Sequence, residues 1–112
     1  MRSDELLEQT LKQTGLPVKY YEYEGTKTGY IIFNEEAEEP ANHADNRALN
    51  TIVWWQVHIF TPKTADFRSH KRDVIKYLRA AGFYVTDTVT LYEKETKTIH
   101  VVISCHYGES EE

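Results

Sequence analysis

The sequence has a single cysteine, Cys105, and only five glycines among its 112 residues. One thiol cannot form an internal disulfide, and it cannot build a zinc site that depends on several cysteines. The glycines fall at predicted turns and helix ends, and none lies in a glycine-rich signature for a dinucleotide or a phosphate group. We therefore expect no disulfide framework and no cofactor.

Long apolar runs are missing as well. No stretch approaches the roughly 18 consecutive apolar residues that mark a membrane-spanning helix. The first fifteen residues contain no continuous apolar segment of the kind that signal peptides have. The length suits one modest hydrophobic core. The sequence thus predicts a single domain over residues 1–112 that is kept in a cytoplasm and has no membrane partner.

Positive charge is in short supply. The formal net charge is −5 at pH 7, which argues against a surface built to neutralise nucleic-acid phosphates. We expect no sequence-specific nucleic-acid binding. Five cations do lie close together in a predicted helix, where such residues usually form the solvated face. They are Arg68, Lys71, Arg72, Lys76 and Arg79.

The periodicity of the sequence predicts seven elements in the order α-β-β-β-α-β-β. This is an α+β domain in which two helices pack on one face of a mainly antiparallel or mixed sheet. The first helix is expected to begin at an N-cap Ser3 and the second at an N-cap Thr64. Gly15 and Gly82 are suited to end the two helices. The segments "VKYYEY" and "TGYIIF" are typical of a hairpin, and a second hairpin is expected to turn at residues 93–97. In its first strand, one face is expected to carry Phe83, Val85, Val89 and Leu91.

Residues 35–50, "EEAEEPANHADNRALN", have little apolar content, and they predict a long acidic mobile loop. Residues 108–112 are expected to form a polar tail. We assign the loop to contacts with a partner or with a ring lumen, as a hypothesis. Its candidate residues are Glu35, Glu36, Glu38, Glu39, Asp45 and Arg47.

The segment "NTIVWWQVHIFTP", residues 50–62, alternates like a strand but is apolar on both faces. One face carries Val53, Trp55, Val57 and Ile59, and the two helices are expected to cover it. The residues expected to be buried together in the core are Trp55, Val57, Phe67, Val74, Leu78, Val101 and Ile103. The other face carries Ile52, Trp54 and Phe60, and no predicted element covers it. Uncovered apolar patches generally mark interaction sites, so these three residues are our candidate subunit interface.

The five histidines do not converge on a metal or catalytic site. His100 and His106 would lie about 20 Å apart on one strand, too far to share an ion. His58 could meet only one of them, and a third ligand would have to be His43 or Asp45. Cys105 and His106 are neighbours on a strand and point to opposite faces, so they cannot act as nucleophile and base. We predict no catalytic and no metal-binding residues.

Four segments together give the chain a family resemblance. They are "TGLPVKYYEYEG", "GYIIFNEE", "HADNRALNTIVWWQVHIFTP" and "VIKYLRAAGFYV", and in this order they resemble the small tail-completion proteins of long-tailed phages and prophages, also called tail-terminator or head-to-tail joining proteins. Related proteins often have a more polar strand where this chain has "WWQV".

The resemblance implies a structural virion protein that is not an enzyme. Members form a ring, usually hexameric, that caps the tail tube and joins it to the head connector. It further implies a homo-oligomer, tail-tube and head-connector partners, and a location in the host cytoplasm during assembly and then in the virion tail. Two alternatives remain open: a small α+β binding module that dimerises through its open sheet face, and an enzyme that uses His58 as a general base.

Overall fold

The computed structural model describes residues 2–44 and 47–110, which form two helices and one five-stranded sheet. The helices are α1, Ser3–Lys12, and α2, Phe67–Ala80. The strands are β1, Val18–Tyr20; β2, Tyr30–Ala44; β3, Arg47–Pro62; β4, Tyr84–Glu93; and β5, Thr98–Ser110. The element order confirms the predicted α+β class. Neither described helix is long and apolar enough to cross a membrane.

The sheet is mixed, with the strand order β1-β2-β3-β5-β4. The pairs β2–β3, β3–β5 and β5–β4 are antiparallel, and the second hairpin turns over residues 94–97 as predicted. The first predicted hairpin is wrong, because β1 runs parallel to β2. Residues 21–29 return the chain to the start of β2, so that Val18 lies beside Ile31 on the core side. The Ile31 N–H donates to the Pro17 carbonyl at 2.8 Å and fixes this register.

Both helices pack on one face of the sheet and enclose the core. Leu7 and Leu11 of α1 and Val74 and Leu78 of α2 are fully buried. The sheet contributes the buried side chains Ile31, Phe33, Val53, Trp55, Val57, Ile59, Val101, Ile103 and Cys105. This arrangement confirms the predicted core, in which Phe67 is only partly buried. The face of β3 that includes Trp55 is therefore the inner face.

Glycines end both helices as predicted, but the predicted caps are wrong. Gly15 and Gly82 have φ values of 82° and 99°, which glycine adopts without steric cost. α2 begins at Phe67 because the Asp66 carboxylate, and not Thr64, accepts from the Ser69 N–H at 3.2 Å.

At α1, Ser3 is the first helical residue and not the N-cap, and it is fully buried. Glu109 of β5 accepts hydrogen bonds from its N–H at 2.6 Å and from its hydroxyl. The Trp55 indole N–H donates to the same hydroxyl at 2.9 Å. A carboxylate at the far end of the chain thus takes the place of a local cap.

The predicted loop at residues 35–50 is also wrong. Residues 35–44 continue β2, and residues 47–50 begin β3, with pairs such as Glu38–Val53 and Glu39–Ile52. The composition of residues 35–44 does not predict a strand, because the apolar residues that stabilise the pairing belong to β3. The long strands give the molecule dimensions of 54 × 25 × 22 Å. The predicted polar tail is wrong for residues 108–110, which belong to β5.

A bulge at residue 86 changes the faces of β4. Val85 pairs with Cys105 on the inner side, but Asp87 pairs with Ser104, so the alternation shifts by one residue. The sequence pattern placed Val89 and Leu91 on the same face as Val85. In the structure they lie on the opposite face, level with Val102 and His100, and both are exposed.

Candidate interface on the open face of the sheet

We call the sheet face opposite the helices the open face. In the part of the chain that the structure describes, no helix or strand lies over it. The strand register assigns it the following side chains: Tyr30, Ile32 and Asn34 of β2; Ile52, Trp54, Gln56, His58 and Phe60 of β3; His100, Val102, Ser104 and His106 of β5; and Tyr84, Val89 and Leu91 of β4. Most are half-buried by their neighbours, and the β4 residues are exposed.

Two aromatic clusters occupy opposite ends of this face. In the first cluster, Tyr23 stacks on Tyr30, Tyr30 on Phe60, and Phe60 on His100, with ring centroids 4.4, 4.9 and 4.1 Å apart. Such short offset contacts are favourable beyond simple burial.

In the second cluster, the rings of Trp54 and Tyr84 pack on His106, with centroids 4.3 and 5.2 Å away. The three predicted interface residues, Ile52, Trp54 and Phe60, therefore share the open face as expected. Six residues along β3 separate Trp54 from Phe60, which is about 20 Å. The candidate interface consists of two aromatic patches with a polar middle.

A chain of polar contacts crosses the middle of the face. His58 Nδ1 lies 2.8 Å from His100 Nε2, and His58 Nε2 lies 2.9 Å from Asn34 Oδ1. Asn34 Nδ2 donates to Gln56 Oε1 at 3.4 Å, and Gln56 Nε2 donates to Glu36 Oε2 at 3.1 Å. Because Asn34 Oδ1 can only accept, His58 Nε2 is the donor, and a neutral His58 accepts from His100 at Nδ1.

The electrostatics of the middle favour neutral imidazoles. Burial lowers the pKa of His58, and the neighbouring His100 lowers it further. Burial also lowers the pKa of His100, although Glu93, 3.5 Å from His100 Nδ1, acts in the opposite direction. Both nitrogens of His58 are engaged in this arrangement. A general base needs a nitrogen that can reach a substrate proton, so the geometry gives the enzyme alternative no support.

The metal and thiol hypotheses have simple outcomes. Among the side chains that the structure describes, no group of three or more His, Cys, Asp or Glu could hold a metal ion. The two possible third ligands, the side chains of His43 and Asp45, lie outside that part of the chain. Cys105 is fully buried on the inner face, and burial raises its pKa to about 12. His106 points to the open face, as the alternation predicted.

The predicted partner residues are divided between the two sides of β2. Glu39 reaches the open face and accepts from the Trp54 indole N–H at 3.4 Å. Glu36 lies at a bulge in β2, between Glu35 and Ala37, and accepts from Gln56. Glu35 and Glu38 point to the helix side. Arg47 is the first residue of β3, and Asp45 lies outside the described residues.

Sequence reasoning missed Tyr23, Tyr30, Tyr84 and His106 as parts of the aromatic clusters. The signal that could have found Tyr30 was its place in "GYIIF", because alternation puts Tyr30 on the face opposite the buried Ile31. Tyr84 and His106 become neighbours only through the β4–β5 register.

Comparison with known proteins establishes the fold and not the family. No protein-family model and no curated protein matches this chain. A solved structure whose name describes no activity superposes with a TM-score of 0.63 at 17% sequence identity, covering 98% of this chain and 92% of that chain. At this identity, the similarity shows a shared architecture over nearly the whole length.

Proposed function

We propose that this protein is a structural assembly subunit and that the open face is its assembly surface. The observation that supports this most directly is the pair of aromatic clusters on a sheet face that no described helix or strand covers. Tryptophan and tyrosine are favoured at the centres of protein interfaces, because they combine a large apolar area with a polar tip.

The dimensions of the open face suit such a contact. Four strands about 4.8 Å apart, β2, β3, β5 and β4, and the length of residues 52–60 of β3 define an area on the order of 500 Å². This is comparable with the roughly 800 Å² that each partner contributes to a standard interface. Its polar middle is already hydrogen-bonded internally, so covering it leaves few polar groups without partners.

The resemblance described above supports a more specific proposal. We propose a tail-completion protein of a phage or prophage, which forms a ring, hexameric like those of most members of the family it resembles, that caps the tail tube and joins it to the head connector. It acts in the host cytoplasm during assembly and then in the virion tail, without catalysis. The face that includes Ile52, Trp54 and Phe60 is covered in the assembled state.

Two adjacent tryptophans provide the test. We expect Trp54→Glu to leave the isolated fold intact, because Trp54 lies on the open face, but to abolish ring formation or tail joining. Trp55 is only 2% exposed, so Trp55→Glu would bury an unpaired charge and should unfold the domain. Tyr92→Glu is the matched control, since Tyr92 is an exposed aromatic residue on the helix side of β4.

Circular dichroism reports the fold, and native mass spectrometry over a concentration series reports the assembly. Tail joining is scored in phage particles that carry the variant gene. If Trp54→Glu assembles and joins tails as the wild type does, the open face is not the assembly surface. If Trp54→Glu unfolds the protein, its role is structural.

A dimeric binding module is the second candidate. The two aromatic clusters lie at opposite ends of the open face. A two-fold axis that lies in the plane of contact, perpendicular to the strands, would therefore bring one cluster against the other. Such an isologous contact closes at two subunits. A dimer mass that does not increase with concentration would favour this candidate over a ring.

A further inference from the structure

One edge of the sheet is acidic. β1 pairs with β2 only as far as Phe33, so the outward edge of β2 from residue 34 onward has no strand partner among the described residues. This stretch carries four exposed carboxylates, Glu35, Glu36, Glu38 and Glu39, which we call the acidic edge. None of them forms an ion pair with a lysine or arginine whose side chain the structure describes, a set that leaves out Arg47.

α2 presents a cationic surface beside the opposite edge of the sheet, where the edge strand β4 carries Asp87 and Glu93 and no lysine or arginine. Arg72, Lys76 and Arg79 of α2 surround one surface cleft together with Ile75, and no acidic side chain lines it. Arg79 also lines the cleft formed by Tyr84 and Val85 at the start of β4. We call Arg72, Lys76 and Arg79 the cationic flank. In the described part of the chain, these cations form no ion pairs either.

The two charged surfaces lie at the same position along the strands, at opposite sides of the sheet. The register places Glu35 opposite Trp55, Trp55 opposite Cys105, and Cys105 opposite Val85. This row crosses the sheet from the acidic edge to the cleft that Arg79 lines. A second copy set beside the first, without a shift along the strands, would bring one acidic edge to the other's cationic flank.

We propose that the acidic edge of one copy of this chain binds the cationic flank and the β4 edge of a second copy. This inference rests on the proposed function, because it names the contact between neighbouring subunits. The two surfaces differ, so the contact is heterologous and can close into a ring. Tyr84, which is 70% exposed, lies at the rim of this contact and is covered by it.

Because the proposed contact is between opposite charges, its affinity should depend on the salt concentration. Exposed charges are screened by salt over about 8–10 Å at 0.1–0.15 M ionic strength, so association weakens as salt is added. Complementary charge mainly sets the encounter rate and the choice of partner, and like charges placed opposite one another disfavour association strongly.

A charge exchange between two variants tests the proposal. Variant A is Glu35→Lys with Glu38→Lys, and variant B is Arg72→Glu with Arg79→Glu. Each variant alone places like charges at the contact, and we expect its apparent Kd for self-association to rise on the order of tenfold or more at low salt. An equal mixture restores opposite charges at every contact, so its association should return.

Native mass spectrometry and sedimentation at two salt concentrations are the measurements, and circular dichroism verifies the fold of both variants. Lys94→Glu with Glu95→Lys, in the exposed β4–β5 turn, is the control. The proposal is overturned if the wild type stays monomeric throughout, if A and B each associate like the wild type, or if the folded mixture does not recover. If Trp54→Glu abolishes assembly while variants A and B both associate like the wild type, the proposed function stands and this contact is rejected.

Discussion

Replacing Glu109 tests whether the end of β5 stabilises the start of α1. The Glu109 carboxylate accepts two hydrogen bonds from Ser3, and the side chain of the N-cap residue Arg2 makes no capping hydrogen bond. Ser3 is fully buried beneath this carboxylate, so its removal leaves the Ser3 N–H and hydroxyl without their protein acceptor. The Trp55 indole N–H depends on the same hydroxyl.

The expected cost follows from these contacts. A hydrogen bond to a charged group contributes about 1.5–3 kcal/mol, and loss of an N-cap costs roughly 1 kcal/mol. We expect Glu109→Ala to lower the free energy of unfolding by about 2–3 kcal/mol. Glu109→Gln keeps an acceptor oxygen and loses only the favourable interaction of the charge with the helix dipole and donors. Its cost should be about 1 kcal/mol.

Urea unfolding followed by circular dichroism measures both changes, and the m-values should stay constant because the exposed surface is unchanged. Glu95→Gln, in the exposed β4–β5 turn, is the control for loss of a surface carboxylate. If Glu109→Ala costs no more than Glu95→Gln, the carboxylate does not cap α1. If Glu109→Gln and Glu109→Ala cost the same, the charge is what matters and not the remaining acceptor.

Two further predictions concern the core and the polar middle of the open face. Leu78→Ala should lower the free energy of unfolding by about 2–5 kcal/mol, because a fully buried side chain leaves a cavity between α2 and the sheet; an unchanged melting temperature would contradict the observed register of α2. The pKa values of His58 and His100 are lowered by folding, so their contribution to stability is complete above about pH 6.5 and is lost as the pH falls. Urea titrations from pH 7.5 to 5 should show this decline, and His58→Gln with His100→Gln should reduce it; a rise in stability towards pH 5 would refute the assignment.

The inner half of the fold was predictable because each residue carries its own signal. Leu7 and Leu11 are one helical turn apart, and Gly82 followed by Phe83 is a typical helix end; the Phe83 N–H indeed donates to the Leu78 carbonyl at 2.9 Å. The alternation in residues 53–59 assigned Trp55 to the core correctly. These are local patterns, and local periodicity records which side of an element is buried.

The strand extensions and the polar middle were not predictable, because they depend on pairing between distant segments. Glu38 has a low strand propensity, and it is held in β2 by its pairing with Val53. His58 meets His100 only through the β3–β5 register, over a separation of 42 residues. The bulge at Thr86 inserts one residue without a glycine or proline to mark it, and so the faces of Val89 and Leu91 were assigned wrongly.

The β3–β5 pairing also has a consequence for the folding reaction. β2 and β3 are adjacent in sequence, as are β4 and β5, whereas β3 and β5 meet only after the chain has passed through α2 and β4. Loop closure must precede the gain from such non-local pairs, which slows their formation. We expect the two hairpins to form early and their docking along the centre of the sheet to limit the folding rate. Substitutions at Val57 or Ile103, which face each other across that junction, should then slow refolding more than equally destabilising changes at Val18, in the edge strand β1 that belongs to neither hairpin.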